Sequence, residues 1–511
     1  MKRIIPICLL AFVIGSCQSK NTPDATESIE LSSTLLTLQV GQDTVVEATV
    51  SPKGTTVEWL SEDETVTTVF SGVITAVGEG VTTITAKAGK ASANCTVIVD
   101  NNQTPITPKD DLSDAVRVLP RSPKRGVGFS SPFFTEDVAL LSKAVSWVYN
   151  WGPNPSSTLD AEFVNYTMDF VPMAWNASYD KNRIRTFVQS HPQCKYLLAF
   201  NEPNLSDQAR MTPSEAAEKW PELKAFAAEV GLQLVSPAMN YGTLPGYSDP
   251  IKWLDEFFAR PEVSKDDVCA IALHCYMGSA GAMKSFIDRF DKYGKKIWMT
   301  EFCGWESPVN SAADQLNYMS ETILMLESDP RVERYAWFLA RGNGSIDNKP
   351  WNQLLTKTEP YTLSSQGLIF EGLSSLDNSV WLNPEKHILM NTCSDVCSLA
   401  DADALASPRF LPANDAYRTL CMTNFTSGKW VEYQVEAEKN LTAINLCYMA
   451  YSKTKLQISI DGVAVTEIEL PRCADEQWQI ATAKVALIKG KHHIRIENKS
   501  GNTNLHWMLF N

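Results

Sequence analysis

Basic charge is scarce in this chain: 45 lysines and arginines stand against 59 aspartates and glutamates, a formal net charge of −14 at pH 7. Binding to a phosphate backbone needs a basic excess, so no nucleic-acid partner is expected. Long hydrophobic runs are lacking too. The N-terminal apolar stretch from Ile4 to Ile14 is short of the ~20 residues that a bilayer-spanning helix requires. No Cys-x-x-Cys pair with histidine partners occurs, which removes the usual zinc-site spacing. The segment Gly278-Ser279-Ala280-Gly281-Ala282-Met283-Lys284-Ser285 lacks the glycine that precedes the lysine of a phosphate loop, and Gly126-x-Gly128 lacks the third glycine of a dinucleotide fingerprint. Neither Gly-x-Ser-x-Gly nor His-Glu-x-x-His appears. No metal and no cofactor are expected.

What remains is a chain of 511 residues, 44% hydrophobic and 20% charged, the composition of folded globular protein with length for about three domains. Its start reads Met1-Lys2-Arg3, an apolar stretch, then Val13-Ile14-Gly15-Ser16-Cys17. This resembles a bacterial lipoprotein signal over residues 1–17, with Cys17 as the lipidated residue. Gln18 is not the aspartate that retains lipoproteins in the inner membrane. The resemblance therefore implies a lipid anchor in the outer membrane, on either face. Export also permits disulfides. Cys269, Cys275 and Cys303 lie in apolar strand-like segments that suit free buried thiols, while Cys393 and Cys397 are close enough for local pairing.

Residues 28–99 are rich in Thr and Val, with short alternating stretches such as Val45–Val50 and Thr82–Ala86 broken by Gly41, Gly54, Gly72 and Gly78. That spacing predicts a small β-sandwich. Leu38-x-Val40-Gly41, Val57-Glu58-Trp59-x-Ser61 and Gly72–Gly80 resemble a bacterial Ig-like domain of group 2, which implies a spacer or, alternatively, an adhesive role. Residues 100–123 are polar and contain proline, and are expected to be a linker.

From residue 124 to about 375, eight nearly continuous apolar runs alternate with helical spacing. They are Gly126–Phe129, Val145–Asn150, Phe170–Trp175, Tyr196–Asn201, Gln233–Pro237, Ala270–Cys275, Ile297–Glu301 and Arg334–Leu339. Parallel strands covered on both faces have this pattern, and eight close a (β/α)₈ TIM barrel. Residues 384–511 return to short alternating strands and predict a C-terminal jelly-roll β-sandwich. The expected architecture is an α/β barrel between two β-sandwiches.

Barrel enzymes carry their reacting groups at the C-terminal ends of strands. The fourth run ends Asn201-Glu202-Pro203-Asn204 and the seventh ends Thr300-Glu301-Phe302. A carboxylate closing an apolar strand is costly to bury unless it is paired or functional. Pro203 biases Glu202 toward an extended backbone. Two such carboxylates facing across a barrel mouth can cleave a glycosidic bond, with retention if about 5–5.5 Å apart and with inversion if roughly 6.5–9.5 Å apart. The sixth run ends His274-Cys275-Tyr276, and His274 is the only one of six histidines at such a strand end; it is either a site residue or a satisfied core histidine. Trp151, Trp175, Trp305 and Trp337 are either sugar-stacking platforms or core.

Asn-Glu-Pro after strand four and Thr-Glu-Phe after strand seven resemble the clan A glycoside hydrolases, which are retaining. That resemblance implies Glu202 as acid/base, Glu301 as nucleophile, Asn201 on the sugar 2-hydroxyl, His274 and Tyr276 orienting the nucleophile, and Trp337 as a sugar-site floor. Arg125–Phe129, Ser146–Trp151, Phe170–Trp175, Leu198–Asn204, Leu234–Ala238 and Ile297–Phe302 are similar to glycoside hydrolase family 128, largely endo-acting β-1,3-glucanases. Cys275 departs from the aromatic usual there, which bears on subsite shape. Gly428–Tyr433, Ile460-Asp461-Gly462, Trp478-Gln479 and Asn504–Trp507 resemble a family 6 carbohydrate-binding module, which implies Trp478 and Asn504 as glycan contacts. The expected function is retaining endo-hydrolysis of β-1,3-glucan. The alternatives are another β-glycan substrate, or a surface lipoprotein that binds glycan without cutting it.

Replacing Cys17 by alanine is expected to move the protein from the membrane fraction to the soluble fraction and to abolish labelling by a fatty-acid analogue.

Overall fold

The computed structural model describes residues 27–39, 42–78, 80–100, 111–115, 119–342, 351–356, 359–413, 415, 417–473 and 477–511. The segment expected to be a signal, with Cys17, and most of the segment expected to be a linker lie outside the described residues. No helix among the described residues is long and apolar enough to cross a membrane.

Residues 28–100 form a β-rich region of three small sheets with two, four and three strands. Alternation drives every second side chain inward, and Ile74, Ile84 and Val97 are fully buried between the sheets.

The central domain alternates strand and helix. Its strands are β1 (Arg125–Gly128), β2 (Trp147–Tyr149), β3 (Asp169–Phe170), β4 (Tyr196–Leu198), β5 (Gln233–Val235), β6 (Val268–Cys275), β7 (Lys296–Phe302) and β8 (Val332–Trp337). Helices α1 (Thr135–Leu141), α2 (Ser157–Asn165), α3 (Lys181–Ser190), α4 (Pro213–Val230), α5 (Pro250–Phe258), α6 (Ala280–Asp288), α7 (Ala312–Ser328) and α8 (Ser365–Gly372) follow them in turn. The strands make one eight-stranded sheet in the order β3-β2-β1-β8-β7-β6-β5-β4, and every pairing is parallel.

The third strand is shorter than its apolar run suggests, because Pro172 has no N–H to continue the ladder. Its partner contact with β4 is reduced to a bridge between Met173 and Leu198, with Leu198 N donating to Pro172 O (3.0 Å) and Ala174 N to Leu198 O (2.8 Å). On one side of the sheet the helices pack. On the other, Trp147, Tyr149, Leu198, Val235, Ala272 and Trp298 form a separate buried cluster.

Local signals explain where helices begin. Thr212 and Glu215 cap α4 reciprocally and Pro213 occupies its first turn, while Gly231 at φ 73° ends it. Asp249 caps α5 ahead of Pro250, its side chain accepting from Ile251 N.

At the N-terminal end of the sheet sits a buried ion pair. Arg125 Nη2 meets Glu327 Oε1 at 2.8 Å with both side chains 2% exposed. Tyr335 (2.5 Å) and Ser122 (2.8 Å) donate their hydroxyls to the same carboxylate. The remaining guanidinium hydrogens reach the Tyr335 hydroxyl (2.9 Å) and the carbonyls of Phe370, Leu373 and Ser374. One arginine thus ties β1 to α7, β8 and the end of α8.

The C-terminal region is an antiparallel β-sandwich of a six-stranded and a five-stranded sheet. It docks on α7, where Phe410 N donates to Ser320 Oγ (2.7 Å) and Arg409 pairs with Glu321 (2.7 Å). Its core is continuous with that of the central domain. Cys393 and Cys397 are free thiols, so the local pairing does not form.

Replacing Arg125 by methionine strands Glu327 as an unpaired buried charge and should lower unfolding stability by about 3–5 kcal/mol. Denaturant melts should show most of that loss recovered in the double variant Arg125→Met, Glu327→Leu.

Candidate active site

The C-terminal ends of the parallel strands open into a cleft of about 840 Å³ lined by both glutamates, Asn201, Trp151, Trp175 and Trp305, with Asn240, Tyr276 and Phe338. Two departures from regular strand geometry aim the carboxylates. In β7, Leu273 pairs with Met299 but His274 pairs with Glu301, so Thr300 is an extra residue in the ladder. Such a bulge turns the following side chain, and Glu301 joins Trp298 on the inner side although an unbroken alternation would separate them. Glu202 leaves β4 with φ at 44°, in the left-handed region. The extended backbone expected ahead of Pro203 is therefore not what forms. A non-glycine residue held there stores of order 1–3 kcal/mol of strain, which the surrounding contacts must offset.

Those contacts are specific. Glu202 Oε1 accepts from His274 Nδ1 at 2.9 Å and from Asn240 Nδ2 at 3.1 Å. The same His274 nitrogen lies 3.4 Å from Glu301 Oε2. Glu301 Oε1 accepts from Trp151 Nε1 (2.6 Å) and lies 3.2 Å from the Tyr149 hydroxyl, while Tyr276 OH donates to its Oε2. One oxygen of Glu202, one of Glu301 and a His274 nitrogen all lie within 4.8 Å of one another. This is the one group of metal-type donors among the described residues. Its atoms sit at hydrogen-bond distances and Glu301 is already surrounded by N–H and O–H donors, an arrangement suited to handling protons.

Burial would lower the proton affinity of His274, but the charges of Glu301 and Glu202 more than offset it and raise its pKa. Glu301 is itself raised: burial and the charge of Glu202 outweigh His274, Tyr276 and Trp151, which favour its ionised form. Burial acts on Glu202 in the same sense, yet His274 and Asn240 bring it below the usual carboxylate range. Tyr149 and Tyr276 are pushed far up by burial and by Glu301, so both stay neutral donors.

Two sequence expectations change. Trp337 is fully buried, with Nε1 donating to Asn352 O (2.7 Å) and its ring edge-on to Phe302, so it is core and presents no face to a sugar. His274 is also fully buried and touches the carboxylates, so it is not a direct sugar contact, and its shorter bond goes to Glu202. Trp478 packs on His506 in an apolar cluster with Leu112 and Trp507, while Asn504 is 5% exposed and donates to Tyr451 OH (3.0 Å). Both lie in the C-terminal sandwich, where the resemblance placed them, and outside the catalytic cleft.

Sequence reasoning missed Tyr149, Asn240 and Phe338. Tyr149 and Phe338 sit inside apolar runs and look like core. Asn240 follows Ala238-Met239 at the end of the fifth run, and a polar residue in that place was the available signal. Asn201 donates to Gln208 Oε1 (3.1 Å), and its own Oδ1 is buried without a partner among the described residues.

The chain is similar to known proteins in two places. Residues 126–368 match the glycosyl hydrolase catalytic core, and residues 409–510 match a carbohydrate binding module of family 35. The second match replaces the family 6 resemblance. Both kinds of module are alternating-strand sandwiches, and strand alternation with scattered tryptophans does not separate them. No curated protein matches the chain.

Among solved structures, a subgroup II endo-β-1,3-glucanase of glycoside hydrolase family 128 from Pseudomonas viridiflava is 38% identical, over 50% of this chain and 98% of that one, with a TM-score of 0.45. Its counterpart from Sorangium cellulosum is 31% identical over 49% and 99%, with a TM-score of 0.44. A subgroup I enzyme from Amycolatopsis mediterranei, in complex with laminaritriose, is 30% identical over 49% and 98%, with a TM-score of 0.37. With its catalytic-core match over residues 126–368, the chain is a glycoside hydrolase, and its central domain is similar to family 128 enzymes.

Proposed function

We propose that the protein is a retaining endo-β-1,3-glucanase. The observation that carries this reading is the approach of Glu202 and Glu301 to within 4.8 Å in an open cleft. An inverting enzyme keeps its carboxyl groups roughly 6.5–9.5 Å apart to admit water between base and sugar, whereas a retaining one holds them about 5–5.5 Å apart. Supporting it, the similar family 128 proteins are endo-β-1,3-glucanases, one of them in complex with laminaritriose.

In this reading the ionised Glu301 attacks the anomeric carbon while Glu202 gives its proton to the departing glycosidic oxygen. Water then enters, Glu202 takes a proton from it, and the glycosyl ester is cleaved. The productive state carries the proton on Glu202 and the charge on Glu301. A bound sugar displaces water from Glu202 and raises its proton affinity, and His274 lies within reach of both carboxylates for the transfer. Trp151, Trp175 and Trp305 give the cleft flat apolar walls for pyranose faces. The parallel sheet is read as a closed (β/α)₈ barrel, residues 28–99 as an Ig-like spacer, residues 384–511 as a glycan-binding module, and Cys17 as the lipid anchor of an outer-membrane protein.

Purified enzyme should release reducing ends from laminarin and curdlan with the β-anomer formed first, and Glu301→Gln should lose that release by at least about 10³-fold while still binding the glucan. Cutting of only mannan, xylan or galactan would replace the substrate, and binding without cutting would replace the enzyme reading.

Because the pKa of Glu301 is raised, its reactive carboxylate is lost as pH falls through a value above the usual glutamate range. The acid limb of kcat, read in the sugar-bound enzyme in which Glu202 holds the proton, should lie there. Trp151→Phe removes a donor that favours the carboxylate, so the limb should move to still higher pH, with a roughly 10- to 100-fold fall in kcat. A pH–rate profile of both proteins reads the shift.

A further inference from the structure

We infer that Asn240 is a positioning residue for the proton donor: it fixes which oxygen of Glu202 carries the proton. The inference rests on the reading of Glu202 as the acid. Asn240 is itself held from three sides. One residue earlier, Met239 is bridged to Leu273, with Met239 N donating to Ala272 O (3.0 Å) and His274 N to Met239 O (2.9 Å). The carbonyl of Asn240 accepts from Asn204 Nδ2 at 2.6 Å, in the loop that follows Glu202. Its side-chain Oδ1 accepts from Tyr241 N at 2.8 Å. That last bond settles which end of the amide is nitrogen, and the nitrogen faces Glu202 Oε1 at 3.1 Å.

Two N–H donors, Asn240 Nδ2 and His274 Nδ1, therefore converge on one oxygen. Glu202 Oε2 has no hydrogen-bond partner among the described residues, and Glu202 lines the cleft. A protonated carboxyl accepts at its carbonyl oxygen and donates from the other. Donors on Oε1 make it the carbonyl, so the proton is kept on Oε2, the oxygen left for the glycosidic bond. Without Asn240 the carboxyl, already on a left-handed backbone, can rotate so that its proton turns toward His274 and away from substrate. The ionisable groups around Glu202 are His274 from β6, Glu301 from β7, and the phenols of Tyr149 and Tyr276. Asn240 is the uncharged member of this ring, so it can orient the carboxyl without adding a charge.

The test separates acid assistance from general damage through the leaving group. Asn240→Leu removes the amide, and Asn240→Asp keeps an acceptor for Tyr241 N while losing the donor to Glu202. Both variants, shown folded by an unchanged thermal midpoint, are assayed on laminarin and on 2,4-dinitrophenyl β-laminaribioside, whose departing phenolate needs no proton. The expected result is a fall in kcat/KM of roughly 100-fold on laminarin and less than about threefold on the aryl glycoside. The alkaline limb of the Asn240→Leu kcat profile, read with substrate bound, should move to higher pH, because a bond that lowers the pKa of Glu202 has been removed. Equal losses on both substrates, or no loss on laminarin, would overturn the role of Asn240. A wild-type enzyme inactive on both substrates would overturn the glucanase reading itself, which distinguishes the two failures.

Discussion

Two largely buried carboxylates within 4.8 Å of each other repel, and a single imidazole nitrogen answers both of them. The rest of the site follows from that constraint. His274 must be buried beneath the pair, or water would take its place. Glu301 must be surrounded by donors that cannot titrate near neutrality, which is what an indole and two strongly raised phenols supply. Glu202 must reach His274 from the neighbouring side of the sheet, and it does so by a left-handed turn that costs backbone strain.

The two ends of the parallel sheet solve opposite problems with similar chemistry. At the N-terminal end Arg125 and Glu327 are paired, every contact is internal, and strands and helices are tied into one unit. At the C-terminal end the charges are held close but left open to the cleft, with Asn201 Oδ1 and Glu202 Oε2 unmatched among the described residues. A saturated floor lets the mouth stay unsaturated. The C-terminal sandwich adds to that rigidity, since it shares a continuous core with the central domain and grips α7 at Ser320 and Glu321.

Much of this was legible in the chain itself. Eight apolar runs interleaved with capped helical segments fix strand count and parallel order, because a strand covered on both faces leaves no polar alternation. The strand ends display Glu202 and Glu301 because a carboxylate does not persist in an apolar run without a reason. The tryptophans were harder. Trp151, Trp175 and Trp305 line the cleft while Trp337 lies in the core, and an indole suits either environment.

By itself, then, the sequence determined the layered α/β domain between two β-rich regions and the two carboxylates that the strand ends present to the cleft. These rest on local patterns: periodicity, caps and residue type. Only the tertiary structure decided that Thr300 is an extra residue in β7, that Glu202 turns left-handed, that His274 sits nearer Glu202 than Glu301, and that Asn240 completes the clamp. Alternation predicts facing only while register is unbroken, and a bulge or a positive φ is set by pairing with residues tens of positions away. Distances between strand ends are properties of closure and packing, which no local pattern encodes.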